Sequence, residues 1–158
     1  MRRPALRRSN NGQGRERTTI PFSTEALRAN LLRLQNEWEM VQASRDRAAI
    51  YGYLAAVFET VMVWAKEGKA VKRAYRALHV RGHKSVREPE PFAALILCTA
   101  DHGKPDARTR SKWARALQYA GQFKDLDQPL GDFMKARGGI NACAERYARR
   151  LGRYRPLC

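Results

Sequence analysis

The stretch DARTRSKWARALQY, residues 106–119, divides around a helical cylinder into two sides. Trp113, Ala116, Leu117 and Ala120 fall on one, and Arg108, Lys112, Arg115 and Tyr119 on the other. A guanidinium fork donates to two phosphate oxygens or to O6 and N7 of guanine. The first turns of such a helix, with Arg108, Thr109, Arg110, Ser111 and Lys112, thus hold groups suited to a phosphate backbone and to base edges.

Two further stretches repeat the design. At residues 69–78, Lys69, Lys72, Arg73 and Arg76 stand opposite Val71, Ala74, Tyr75 and Leu78. At residues 140–153, Arg146, Arg149, Arg150 and Arg153 stand opposite Ile140, Cys143, Ala144, Tyr147 and Leu151. Like charges at i, i+4 cost a helix roughly 0.2–0.5 kcal/mol per pair. Bound phosphates offset that cost, because each neutralised phosphate releases condensed counterions. Most charge runs are solvated faces, but ordinary surfaces mix the two signs, and acids are nearly absent from the last two faces.

The segment from Phe92 to Ala120 has the layout of a helix-turn-helix unit: a short apolar helix, a turn at Asp101-His102-Gly103-Lys104-Pro105, and a second helix with basic and hydroxyl residues first. Trp113 is the expected anchor of that second helix in the core. Any two consecutive helices share this layout, so it is a pattern and not a motif. The tail RYARRLGRYRPLC interleaves arginines with Tyr147 and Tyr154. Tyr147 falls with the apolar residues, which leaves Tyr154 as the aromatic side chain suited to base stacking.

Metal chemistry has less support. His79 with His83, and Cys98 with His102, are at i, i+4 spacing, and three nitrogens with one sulfur suit tetrahedral zinc. Gly82 and a proline-rich loop separate the pairs, no Cys-x-x-Cys element occurs, and Cys98 stands in an apolar run where a thiol behaves as a small hydrophobe. No metal or other cofactor is expected. No glycine-rich phosphate loop, nucleophile elbow or metalloprotease helix is present, and Glu37 and Glu39, flanking Trp38, point to different faces. A non-enzymatic protein is expected, although a nuclease built from scattered residues leaves no sequence signature.

The elements that must position these groups are legible from periodicity. Ser23-Thr24-Glu25 starts a helix carrying Leu27, Leu31, Leu34 and Trp38 to about Ala43. Asp46 opens a second, whose stripe of Ile50, Leu54, Val57, Val61 and Trp64, widened by Tyr53, Phe58 and Ala65, marks it as the central helix. Gly68 interrupts it, and residues 80–91 read as loop. Phe92 to Ala100 is read as helix rather than a lone strand. Asp106 caps the quoted helix, which should end about Gly121; Asp127-Gln128-Pro129 starts another that Gly138-Gly139 stops; the last runs from about Ile140 to Gly152. The fold class is therefore all-α: one compact multi-helix domain over residues 20–158, without an internal repeat.

Composition frames the partners. The chain has 158 residues, 44% of them hydrophobic, and 31 Lys plus Arg against 15 Asp plus Glu, for a net charge of +16. Such an excess attracts polyanions, nucleic acid first and an anionic membrane surface second. Residues 1–19 hold six arginines and one glutamate, and residues 102–158 hold thirteen basic against five acidic side chains. The first nineteen residues are expected to be a flexible Arg-rich arm. A transit peptide is the lesser reading of that arm, because Pro4 and Asn-Asn-Gly-Gln-Gly break the amphipathic helix such peptides need. The longest apolar run, Phe92 to Ala100, is shorter than the ~20 residues of a membrane span. Three cysteines, Cys98, Cys143 and Cys158, fit a reducing compartment, cytoplasmic or nucleoid-associated.

The expected function is DNA binding, by a helix-turn-helix-like regulator or maintenance factor, with duplex DNA preferred over RNA because basic helical faces fit a major groove. The alternatives are an RNA-binding or ribosome-associated protein, and a helical protein docking an acidic partner or anionic membrane.

Overall fold

The computed structural model describes residues 22–84, 88–100 and 105–153, and every regular element among them is helical. The expected arm, the turn residues 101–104 and Tyr154 lie outside the described residues. Seven α-helices follow in order: α1 (Thr24–Ala43), α2 (Ile50–Lys66), α3 (Ala70–Val80), α4 (Pro91–Thr99), α5 (Ala107–Phe123), α6 (Leu130–Ala136) and α7 (Ile140–Arg153). A single 3-10 turn, Arg47–Ala49, leads into α2.

Local chemistry sets most of the boundaries. The Ser23 hydroxyl accepts from the Ala26 amide at 3.1 Å and the Asp46 carboxylate from Ala48 at 2.9 Å, each satisfying an amide that the first turn leaves without an internal partner. Asp106 accepts from the Thr109 amide at 2.7 Å, and hydrogen bonds from Thr109 hold its carboxyl below the usual range. Glu90 caps α4 by accepting from Phe92 at 3.1 Å and Ala93 at 2.7 Å, with Pro91 in the first turn, where the missing amide proton costs nothing. Between α6 and α7, Gly138 and Gly139 have φ of 96° and 97°, a region L side chains avoid. Helix α5 continues two residues past the expected Gly121, since a mid-helix glycine weakens a helix without ending it.

The core forms around α2, which touches α1, α3, α4, α5 and α6. Tyr53, Leu54, Val57, Phe58, Val61 and Trp64 of this helix are buried against Leu27, Leu31, Leu34 and Trp38 of α1 and Leu95 and Ile96 of α4. Ala65, expected in the stripe, is exposed instead. It falls on the side of Leu54, Phe58 and Val61 but in the last turn of α2, where residues 65–67 are all exposed. By length and composition alone, residues 47–66 could cross a membrane, with a mean hydropathy of 1.5 in their most apolar window. A core helix passes the same test, and α2 is wrapped by its neighbours. The expectation based on the longest unbroken apolar run overlooked this segment because Gly52, Glu59 and Thr60 interrupt it.

One polar tie crosses the apolar interior. The Tyr53 hydroxyl and the Thr99 hydroxyl are 2.7 Å apart, and Thr99 also donates to the Leu95 carbonyl at 2.7 Å. The bond pins the last turn of α4 to α2, and burial pushes the Tyr53 phenol well above its ordinary pKa, so it stays a neutral hydrogen-bonding group. Tyr53→Phe keeps the ring and deletes the tie; it should cost about 0.5–1.5 kcal/mol in a urea titration, with an unchanged slope.

Glu90 adds a pH dependence. Burial raises its pKa above 4.5, outweighing the Phe92, Ala93 and Gln118 hydrogen bonds that act to lower it. The folded protein therefore holds the Glu90 proton more tightly than the unfolded chain does. This contribution to stability is full below the unfolded-state pKa and is lost as pH rises through the folded-state pKa. Glu90→Gln should flatten the profile of melting temperature against pH over that window, and an unchanged profile would assign the dependence to other groups.

Candidate nucleic-acid interface

The three basic faces read from the sequence meet different fates in the fold. On α3, Arg73 and Arg76 turn inward. Arg73 is buried, pairs with Glu67 and places its guanidinium 4.0 Å from the centroid of the Phe22 ring. Arg76 donates to the Phe22 carbonyl at 2.9 Å and to the Thr24 hydroxyl at 3.3 Å. Two cations thus clamp the residue that leads into α1, while Lys69 and Lys72 remain exposed. The expected four-residue face on α3 is reduced to two lysines, because a cation over an aromatic face is attracted to it.

On α5 the expected face is rotated. Tyr119 is buried, with its ring 4.8 Å from that of Phe123 and 5.9 Å from that of Phe133, and its hydroxyl accepts from Arg137 at 2.8 Å. It is a core residue and not part of a binding face. Helical spacing alone could not show that α6 and α7 cover this side: α5 packs against α2, α4, α6 and, most extensively, α7. Arg108 and Ser111 are exposed; Thr109, Arg110, Lys112 and Arg115 are half-buried. Arg110 donates to the Pro105 carbonyl at 2.7 Å, so it braces the entry to the helix. The Arg115 Nε is buried with no hydrogen-bond partner among the described residues. Trp113, the expected anchor, is half-buried and packs on Trp38 at 5.8 Å between ring centroids.

Between α4 and α5 lies an open groove of about 340 Å³, lined by Glu90, Leu97, Arg110, Ser111, Arg115 and Gln118. The two helices pack on each other, as the paired elements of the expected unit must. The turn at Asp101–Lys104 lies outside the described residues.

On α7 the basic face survives. Cys143 and Ala144 are buried and Tyr147 is packed on the core, while Arg146, Arg149 and Arg150 are exposed. Leu151, expected on the inner face, is instead 54% exposed. Arg150 lies 4.1 Å over the Phe123 ring at the end of α5. Glu145 is the only acid on α7, 3.9 Å from Arg149 in an exposed i, i+4 pair of little energetic weight. Arg153 is the last residue of α7.

His79 and His83 do not sit as helical i, i+4 neighbours. Helix α3 ends at Val80, before His83, and α4 ends at Thr99, before His102, which itself lies outside the described residues. No group of three or more His, Cys, Asp or Glu that could hold a metal ion occurs among the described residues. Cys98 and Cys143 are free and buried, and burial pushes the Cys98 thiol up to about 12.

Sequence reasoning missed Arg137. Its guanidinium lies 4.6 Å over Phe133 while bonding Tyr119, tying α5 to the end of α6. No local signal precedes it, since its partners come from a helix 18 residues upstream as well as from its own turn.

No protein-family model, curated protein or solved structure matches the chain.

The inward turn of Arg73 separates it from its neighbour in a measurable way. Arg73→Ala should lower stability by about 1–3 kcal/mol by removing buried packing and the cation from the Phe22 ring, whereas Lys72→Ala should stay within about 0.5 kcal/mol. Equal effects in chemical denaturation would show that the Phe22 clamp carries no energy.

Proposed function

We propose that the chain binds nucleic acid through the layer formed by α5 and α7, with duplex DNA preferred over RNA. The observation that carries this reading is the exposed arginine face of α7, Arg146, Arg149 and Arg150, on a helix packed against the helix that exposes Arg108. Arg150 is braced over Phe123 and so loses less rotamer entropy when its outer N–H groups meet a phosphate. A net charge of +16 adds long-range attraction. In this reading α4 and α5 act as a helix-turn-helix-like pair, and Arg108 and Ser111 are the positions from which α5 would meet base edges. Lys69 and Lys72 would serve as outlying phosphate-binding positions. The role is binding, of a regulatory or maintenance kind, without catalysis, and the free thiols of Cys98 and Cys143 suit a reducing compartment.

The test is binding of the full chain to duplex DNA, structured RNA and single strands at one fixed salt concentration. Changing Arg146, Arg149 and Arg150 together to Glu should weaken duplex binding at least tenfold. It should also lower the slope of log K against log salt by roughly 0.9 for each phosphate that is no longer neutralised. Unchanged binding would overturn the assignment to α7, equal affinity for structured RNA would overturn the preference for DNA, and binding to anionic vesicles alone would replace nucleic acid as the partner.

A further inference from the structure

A second cationic surface lies where α2 gives way to α3. Residues 66–84 hold seven Lys and Arg against a single acid, Glu67. Arg73 and Arg76 turn inward on Phe22, and Arg73 takes Glu67 as its partner. Lys66, Lys69, Lys72, Arg81 and Lys84 stay exposed. Tyr75, 52% exposed, stands on the same open side of α3 as Lys72 and His79. The inner side of this helix is fixed by the buried Arg73, Ala74, Ala77 and Leu78, so Lys72 and Tyr75 point away from the core. Lysine ammonium groups and a phenolic hydroxyl both donate to phosphate oxygens.

Packing order separates this surface from that of α7. Helix α3 packs on α1, α2 and α4, helix α7 packs on α5 and α6, and no helix packs closely on both. One path between them runs from α3 through α4 and α5 to α7. Three such steps, at about 8–10 Å between axes, put the two helices on the order of 25 Å apart. Each turns its buried side to the one core, so their exposed sides look outward from different ends of the molecule. Helix α4, which stands between, is PFAALILCT and carries no Lys, Arg, Asp or Glu. Duplex DNA bears one negative charge per ~1.7 Å of its axis. A single straight duplex laid from α7 to α3 would set a run of those charges over this uncharged helix, whereas two separate segments each meet cations alone.

We propose that the chain bridges two duplex segments, one on the layer of α5 and α7 and the other on α3, where Lys69, Lys72 and the Tyr75 hydroxyl hold phosphates. The inference rests on the reading of α5 and α7 as a nucleic-acid surface and adds a second segment to it. The α3 contacts go to the backbone alone, so they are sequence-independent and weaken with salt.

Two quantities test the bridge, both measured with the full chain at one fixed salt concentration: affinity for a labelled duplex, and capture of that duplex by a second, surface-tethered duplex. Lys69→Gln with Lys72→Gln should reduce capture at least about tenfold while leaving affinity for the single duplex within about threefold. Arg45→Gln with Arg47→Gln removes the same charge from exposed positions at the other end of α2 and should change capture by less than about threefold. Capture that survives the lysine changes would overturn the bridge in favour of pairing between two copies of the chain. A parallel loss of single-duplex affinity would overturn it in favour of one duplex spanning both surfaces, and an equal loss of capture in the arginine variant would assign capture to net charge. A chain that binds one duplex and captures no second also overturns it, yet leaves the α7 assignment standing. Absence of all duplex binding would instead remove that assignment, and the bridge with it.

Discussion

A helix that is apolar around most of its circumference must be wrapped, and the wrapping of α2 is the constraint from which the rest of the arrangement follows. Tyr53, Leu54, Val57, Phe58, Val61 and Trp64 point in too many directions for one partner to cover. Five helices therefore close around α2, and each must turn its own apolar stripe inward to do so. The polar faces of those helices are left at the surface, so the distribution of charge is a by-product of the burial of one element.

The arginines show how strongly that by-product depends on neighbours. Among the described residues, three guanidinium groups lie within 5 Å of an aromatic ring centroid: Arg73 on Phe22, Arg137 on Phe133 and Arg150 on Phe123. The first is buried and the last lies at the surface, so the same arrangement serves as internal clamp in one place and as surface brace in another. Arg and Lys with equal charge on paper are thus unequal as candidates for a partner, and α7 keeps its face because only α5 and α6 lie closely against it.

Helix number and order, and the caps other than Glu90, could be read from the sequence because they rest on local rules: Ser23, Asp46, Asp106 and the paired Gly138 and Gly139 act within a few residues of themselves. Errors arise where a helix has more than one neighbour. Periodicity divides α5 into an apolar and a basic side, but a helix touched by four others buries more than one side, and Tyr119 goes inward against its spacing. Arg73 and Arg76 fail as surface cations for the same reason, since their partner Phe22 lies more than fifty residues upstream and no pattern links them. The hydrogen bond from Arg81 to the Gln35 Oε1 is equally illegible, because it joins residues 46 apart.

The glycine pair before α7 sets how that helix follows α6. A Cβ placed on Gly138 would approach that of Ala142 to 3.2 Å, and both glycines hold a backbone conformation closed to other residues. The direction in which α7 leaves α6 therefore rests on two main-chain conformations as well as on packing against α5. Beyond the glycines, α7 returns to pack on α5, the most extensive contact between any two helices among the described residues. A side chain at either glycine would therefore shift the seat of α7 on α5.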